Sequence, residues 1–383
     1  MDIDHVHFYV EDAIAWRDWF VQRLGFQSGV ITSTRHTQTA VVHSGAVHCV
    51  LSSPLSIDSP VAAYLKRHPA GVTDIAFRVA SLDPVIERAI AHGARQLGSW
   101  QEQLNPLISL PFNSKKWVQI QGWGELTHTL VESPSPLQTP FLSSSWGVDR
   151  TDNISSATQA GKLHWAMEPS LLPFLAIDHA VLNVASGQLR QAAAWYEATL
   201  GFQKQQAFAI HTDYSGLCSQ VLVHPQGTAQ LPINESASPS SQIQEFLNHN
   251  RGSGIQHIAL QTRDIVQTIA HLRQQGIAFL SVPSTYYEQL RERPGFQLTQ
   301  AQWRAIACQE VLVDWQPDNP NAMLLQAFTQ PIFGQPTFFF ELIQRQHYYV
   351  DQQRKTAEGF GEGNFRALFE AIEREQMNRG SLK

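Results

Sequence analysis

The chain has 383 residues and a formal net charge of -6, a length that favours roughly two or three domains. The acidic balance gives no reason to expect nucleic acid or an anionic membrane as partner, and no apolar run approaches a membrane span. Cys49, Cys218 and Cys308 are widely separated and form no CxxC pair, which excludes a zinc ribbon and a disulfide-stapled secreted scaffold.

The chain opens on strand-like sequence, Asp4-His5-Val6-His7-Phe8-Tyr9-Val10, with no basic region before an apolar stretch. A signal peptide is therefore not expected, and a cytoplasmic protein is. A helical pattern over Ala13 to Val21 and then Leu24-Gly25-Phe26 follow. Further on, Gly71-Val72-Thr73-Asp74-Ile75-Ala76-Phe77 precedes a helix ending near His92-Gly93, and Thr127 to Glu132 is strand-like again. From about Ser133 to Pro173 the chain is rich in Ser, Pro, Thr and Gly, as a linker between two halves would be.

The second half repeats this order. Asp178-His179-Ala180-Val181-Leu182-Asn183-Val184 is strand-like, and a helical pattern through Trp195-Tyr196 leads to Leu200-Gly201-Phe202. Gly254 to Leu260 then precedes a helix ending near Gln275-Gly276. The glycine after each helix suits a C-terminal cap. Four β-helix-β units in two pairs predict an α+β fold with curved sheets, divided into residues 1–150 and 151–383.

Three apolar, β-prone runs in the second half each hold one ligating side chain: His179, His257 and Glu341. Two imidazoles and a carboxylate fit a 2-His-1-carboxylate site, which leaves metal positions open and suits non-heme Fe(II). Singly, each histidine reads as a core residue bonded to a carbonyl, and Glu341 as an edge residue facing water. Together, and related by a repeat, they favour a metal site. In the first half His5 falls opposite His179 and Asp74 opposite His257. Whether Glu132 falls opposite Glu341 stays open, because one residue of slip flips the face of a strand. A second metal site there and a lost ancestral site are the two alternatives, the latter preferred.

The stretch from about Ile177 to Leu382 resembles the catalytic half of the 4-hydroxyphenylpyruvate dioxygenase family, of the vicinal-oxygen-chelate superfamily. The similar runs are Leu231-Pro232-Ile233-Asn234-Glu235, Ser241 to Phe246, Gly254 to Leu260, Leu324 to Thr329, Pro336 to Arg345 and Gly359 to Phe365. The first half is similar only in outline. The resemblance implies two tandem vicinal-oxygen-chelate domains, each of paired βαβββ modules forming a curved open barrel. It implies that His179, His257 and Glu341 bind Fe(II), while residues 1–150 form a domain without metal. It implies catalytic roles for Gln242, Gln326, Asn234, Phe339 and Phe365, with Ser219, Gln256, Phe328, Phe360 and Asn364 around the substrate. Gln256 neighbours His257 and should face away from it unless the backbone is bulged.

The implied reaction takes 4-hydroxyphenylpyruvate and O2 to homogentisate and CO2 by oxidative decarboxylation, ring hydroxylation and side-chain migration. Tyrosine breakdown and tocopherol or plastoquinone supply would both use it. A homo-oligomer, dimer or tetramer, is expected, with the first half carrying subunit contacts. The C-terminal stripe Phe365, Leu368, Phe369 and Ile372 reads as a lid helix hinged on Gly359, Gly361 and Gly363. Gln346-His347-Tyr348-Tyr349 departs from the family, which has a glycine soon after the arginine. The rival readings are 4-hydroxymandelate synthase, an extradiol catechol dioxygenase and a metal-free binding protein.

Overall fold

Apolar residues at every second position give each half its strands, and polar residues between them give each sheet a second, wetter face. The computed structural model describes residues 1–101, 116–133, 174–316, 318–351 and 353–382. The boundary expected at 150/151 and nearly all of the expected linker lie outside the described residues.

The first half runs β1 (Asp2–Tyr9), α1 (Ala13–Leu24), β2 (Gln27–Ser33), β3 (Thr37–Ser44) and β4 (Val47–Pro54). It continues with α2 (Pro60–Leu65), β5 (Gly71–Val79), α3 (Leu82–Ala91), β6 (Gln96–Gln101), β7 (Trp117–Gln121) and β8 (Thr127–Glu132). The second half repeats the scheme as β9 (Ala176–Val184), α4 (Leu189–Leu200), β10 (Gln203–His211), β11 (Gly216–Val223) and β12 (Gln230–Ser236). Then come α5 (Gln242–Asn250), β13 (Gly254–Gln261) and α6 (Ile265–Gln274). Two helices, α7 (Ser284–Glu292) and α8 (Gln300–Cys308), are added before β14 (Leu312–Gln316), β15 (Asn319–Phe328) and β16 (Phe339–Arg345). The departure after Arg345 is a hairpin, β17 (His347–Val350) and β18 (Gln353–Thr356), and the chain ends in α9 (Glu362–Arg379).

Each half is one eight-stranded mixed sheet, ordered β2-β3-β4-β1-β5-β8-β7-β6 and β10-β11-β12-β9-β13-β16-β15-β14. The fold is thus α+β with two tandem vicinal-oxygen-chelate domains. Gly25 and Gly201 end α1 and α4 in the left-handed region, at φ 73° and 76°, as their positions required.

The halves share their apolar layer. Phe8 packs edge-on to Phe20 of its own half and to Phe338 of the other, and Phe20 packs against Phe340. Side chains of the first half cap helices of the second: Arg88 Nε donates to the Thr199 carbonyl over 3.1 Å, and Arg23 donates to that of Gln275. The buried Tyr196 hydroxyl meets His128 Nε2 at 3.0 Å across the same boundary.

Four bulges mark the strands that face one another at the centre of each sheet. Asp178 is the extra residue on β9 and Gln256 on β13, with Asp4 on β1 and Thr73 on β5 in the same places of the first half. A bulge re-aims a side chain that regular pleating would send to the other face. Registers also place the first half on the second: Asp74 pairs Thr127 on β8 as His257 pairs Phe339 on β16. Thr129 therefore stands where Glu341 does, and Glu132 corresponds to Gln344. Those two share a task. Glu132 accepts from the Leu82 amide at the start of α3, and Gln344 accepts from the Ile265 amide at the start of α6.

Replacing Tyr196 by Phe leaves His128 Nε2 buried without its partner across the boundary. It is expected to cost about 1–3 kcal/mol of stability, measured by urea unfolding. No measurable loss would show that this bond does not fasten the halves.

Candidate metal centre

Along β9, Ala180, Leu182 and Val184 face the apolar layer shared with the helices. His179, Val181 and Asn183 consequently face the other side, together with His257 of β13 and Glu341 of β16. His179 Nε2 lies 3.3 Å and His257 Nε2 3.4 Å from the same oxygen, Glu341 Oε2. The three ligand atoms all fall within 4.8 Å of one another, and all three residues are buried. This is the one grouping of at least three such side chains among the described residues. Neither nitrogen of His257 has a hydrogen-bond partner, although Nε2 is within ion-pair distance of Glu341. A buried imidazole left so, beside a carboxylate aimed at the same gap, fits a cation between them.

The surroundings orient the donors. His179 Nδ1 is 2.9 Å from Asp178 Oδ1, which leaves Nε2 as the free lone pair when Nδ1 carries the proton. The bulge at Asp178 lets adjacent residues meet in this way. Arg345 closes on Asp178 with both arms, Nε to Oδ2 and Nη2 to Oδ1, each 2.7 Å. Gln326 Nε2 donates to Glu341 Oε1 over 2.8 Å. Neither Asp178 nor Arg345 was singled out from sequence. The repeated Asp-His pairs, Asp4-His5 and Asp178-His179, were the available signal.

Burial opposes ionisation of Glu341, but the two imidazoles outweigh it and bring its carboxyl down to about 2. Burial likewise works against a charged His179, yet Glu341 and Asp178 raise it to about 9. His257 moves the other way, lowered chiefly by burial. Burial raises Asp178, and Arg345 with His179 reverses this and holds it well below the usual carboxylate range.

Aromatic rings wall the centre. Phe339 stacks on His257 with centroids 4.8 Å apart, Phe360 meets His179 edge-on at 5.3 Å, and Phe328 lies edge-on to Phe339 at 6.3 Å. Phe365 belongs to a different cluster, with Phe208, Ile243, Phe246 and Phe369. Asn364 Nδ2 donates to Gln326 Oε1 over 2.8 Å, which ties α9 to the residue holding Glu341. The expected helical stripe divides: Phe365 and Phe369 pack on one apolar cluster, Leu368 and Ile372 on another that includes Phe328 and Phe339.

A polar row crosses three strands at the other end of this face. Ser219, Asn234 and Asn183 are partners in register on β11, β12 and β9, and all are buried. Ser219 Oγ, Asn234 Oδ1, Asn183 Nδ2 and the Oε1 of Gln242 lack hydrogen-bond partners. Gln242 is the first residue of α5, behind the N-cap Ser241. Gln256 is buried on the bulge that its proposed role required. Asn183 is the member that sequence inspection missed.

The first half presents another balance. His5 Nδ1 meets Asp4 at 2.8 Å, and Arg78 binds that carboxylate through Nε at 2.9 Å. Asp74 is already occupied by Thr127 Oγ1, Gln119 Nε2 and Thr129 Oγ1 at 2.7, 2.9 and 3.0 Å.

Residues 4–106 and 176–293 match models described as the Glyoxalase/Bleomycin resistance protein/Dioxygenase superfamily. The chain is 34% identical to 4-hydroxyphenylpyruvate dioxygenase of Dictyostelium discoideum, over 99% of each chain. The chain belongs to the 4-hydroxyphenylpyruvate dioxygenase family. It is also 33% identical to the uncharacterized protein slr0090 of Synechocystis sp., over 97% of each chain. A mutant of 4-hydroxymandelate synthase from Streptomyces coelicolor has a similar structure, with TM-score 0.77 and 27% identity over 98% of each chain. No helix among the described residues is long and apolar enough to cross a membrane.

A divalent cation bound here competes with the His179 proton, which is held up to about pH 9. Affinity for Co(II), measured by spectrophotometric titration, is therefore expected to rise with pH from 6 toward 9, by about tenfold per unit for one displaced proton. Affinity independent of pH would contradict this arrangement.

Proposed function

We propose that the chain binds Fe(II) through His179, His257 and Glu341. With O2, it would convert 4-hydroxyphenylpyruvate to homogentisate and CO2. The observation that carries the reading is the convergence of these three donors beneath an aromatic wall, and the family membership supports it. Ferrous iron at such a site supplies open positions for a 2-oxo acid and for dioxygen.

The chain's own residues supply charge balance, orientation and dryness. Glu341, Asp178 and Arg345 with a divalent cation leave one positive charge, which a monoanionic 2-oxo acid neutralises. Phe339, Phe328 and Phe360 border the metal ligands with apolar surface and exclude water from the reacting atoms. Gln326 holds the Glu341 oxygen that faces away from the histidines. Ser219, Asn234 and Gln242 offer unpartnered polar atoms that would receive the phenol hydroxyl, with Gln256 and Asn364 completing the polar lining. Phe365 of α9 would offer a further aromatic face for the ring.

A second reading is 4-hydroxymandelate synthesis, favoured by the structural likeness at TM-score 0.77. Homogentisate and 4-hydroxymandelate are isomers, so mass alone does not separate them. Nuclear magnetic resonance of the product from iron-loaded protein, 4-hydroxyphenylpyruvate and O2 does. An aromatic ring carrying a second hydroxyl is expected; a hydroxylated side chain would select the second reading, and no product would sink both.

Replacing Asn234 by Leu removes an acceptor at the far end of the pocket. It is expected to lower kcat/KM for the 4-hydroxyl substrate by about 10–100-fold while phenylpyruvate is less affected. Equal losses on both substrates would place the phenol elsewhere.

A further inference from the structure

The metal ligands and the segment leading into α9 hang from the same two side chains. Gln326 is one. Its Nε2 donates to Glu341 over 2.8 Å and lies 3.4 Å from the Phe360 carbonyl, while its Oε1 accepts from Asn364. Arg345 is the other. Two of its nitrogens hold Asp178, the partner of His179, and the third, Nη1, donates to the carbonyls of Gly359 and Ala357 over 2.8 and 3.1 Å.

We propose that Arg345 is a positioning residue that couples metal binding to the closed form of the hinge at residues 357–361. The planar guanidinium makes four hydrogen bonds here, two of them a fork on one carboxylate, which an ammonium with three donors on a single nitrogen cannot reproduce. The side chain is 8% exposed, so water offers it little alternative partnership. If the hinge swings away, Nη1 loses both acceptors, and the guanidinium that sets Asp178 against His179 keeps only one of its three partners. Phe360 lies between those two carbonyls' segment and α9, and its ring touches His179, so hinge movement also uncovers the ligand. By linkage, whatever the metal gains from a closed hinge, the closed hinge gains from the metal.

The body of α9 has separate fastenings. Arg379 Nη2 binds Glu245 over 2.8 Å, and Glu373 accepts from Thr212 and Ser215 over 2.6 and 2.5 Å. The coupling therefore predicts a response confined to the hinge and not shared by the end of the helix.

The inference rests on the metal reading above, and Co(II) alone is the probe. Hydrogen exchange is measured on the full chain with and without Co(II), comparing residues 357–364 with 372–379. In the unaltered protein, Co(II) is expected to slow exchange in the first segment and leave the second unchanged. Arg345→Lys keeps the charge beside Asp178. It is expected to weaken Co(II) binding by about 10–100-fold, as other ligand-orienting residues do, and to abolish the hinge response. Gly359→Ala probes the coupling from the opposite end. Gly359 sits at φ +85°, with no atom near a substituted Cβ, so alanine strains only the backbone. It contacts no ligand, yet Co(II) binding should weaken by about fivefold or more. Unchanged affinity in Gly359→Ala, or an intact hinge response in Arg345→Lys, overturns the inference. Failure of the unaltered protein to bind Co(II) would instead sink the metal reading; binding without any hinge response sinks this inference alone.

Discussion

The centre of this molecule turns on a carboxylate in the wrong place for an ordinary protein. Glu341 is buried in a strand of Phe and Leu, between two imidazoles, at a depth where an unpaired charge is untenable. Both imidazoles lower the Glu341 carboxyl, Glu341 and Asp178 raise His179, and burial lowers His257, whose two nitrogens lack hydrogen-bond partners. A divalent cation would use all three donors, and the rest of the second half is organised around that possibility.

The sheet prepares it through irregularity as much as regularity. Pleating carries His179 and Glu341 to the side opposite the helices, the bulge at Asp178 lets that residue meet its neighbour His179, and a second bulge falls at Gln256 beside His257. The first half retains both bulges and an Asp-His-Arg cluster, but its arginine comes from β5 where the second half draws it from β16, and Asp74 and Thr129 stand in the places of His257 and Glu341. Asp74 then satisfies itself with hydroxyl and amide donors. One scaffold thus supports a site starved of donors in one half and a saturated hydrogen-bond cluster in the other.

Much of this was legible in the chain. The duplicated strand-helix order, the glycine caps and the three candidate ligands that the structure brings together follow from periodicity and residue type, because each expresses a local rule. The pairing of Thr129 with Glu341 was not legible, since it depends on strand register and the loop lengths between repeats differ. Nor were α7 and α8, which have no counterpart among the described residues of the first half. Gln256 shows the boundary most clearly: alternation alone sends it away from His257, and the bulge that breaks this alternation has no signature in the sequence. Asp178 and Arg345 escaped because a bond between residues 167 apart in sequence has no local signature.

X-ray absorption at the iron edge, on protein loaded anaerobically with Fe(II), examines the centre most directly. One equivalent of iron per chain is expected, with the outer-ring scattering of two imidazoles beside oxygen donors, and with one imidazole lost in His257→Ala. Iron that is substoichiometric, or whose shell is unchanged by that substitution, would contradict the assignment of His179, His257 and Glu341 as its ligands.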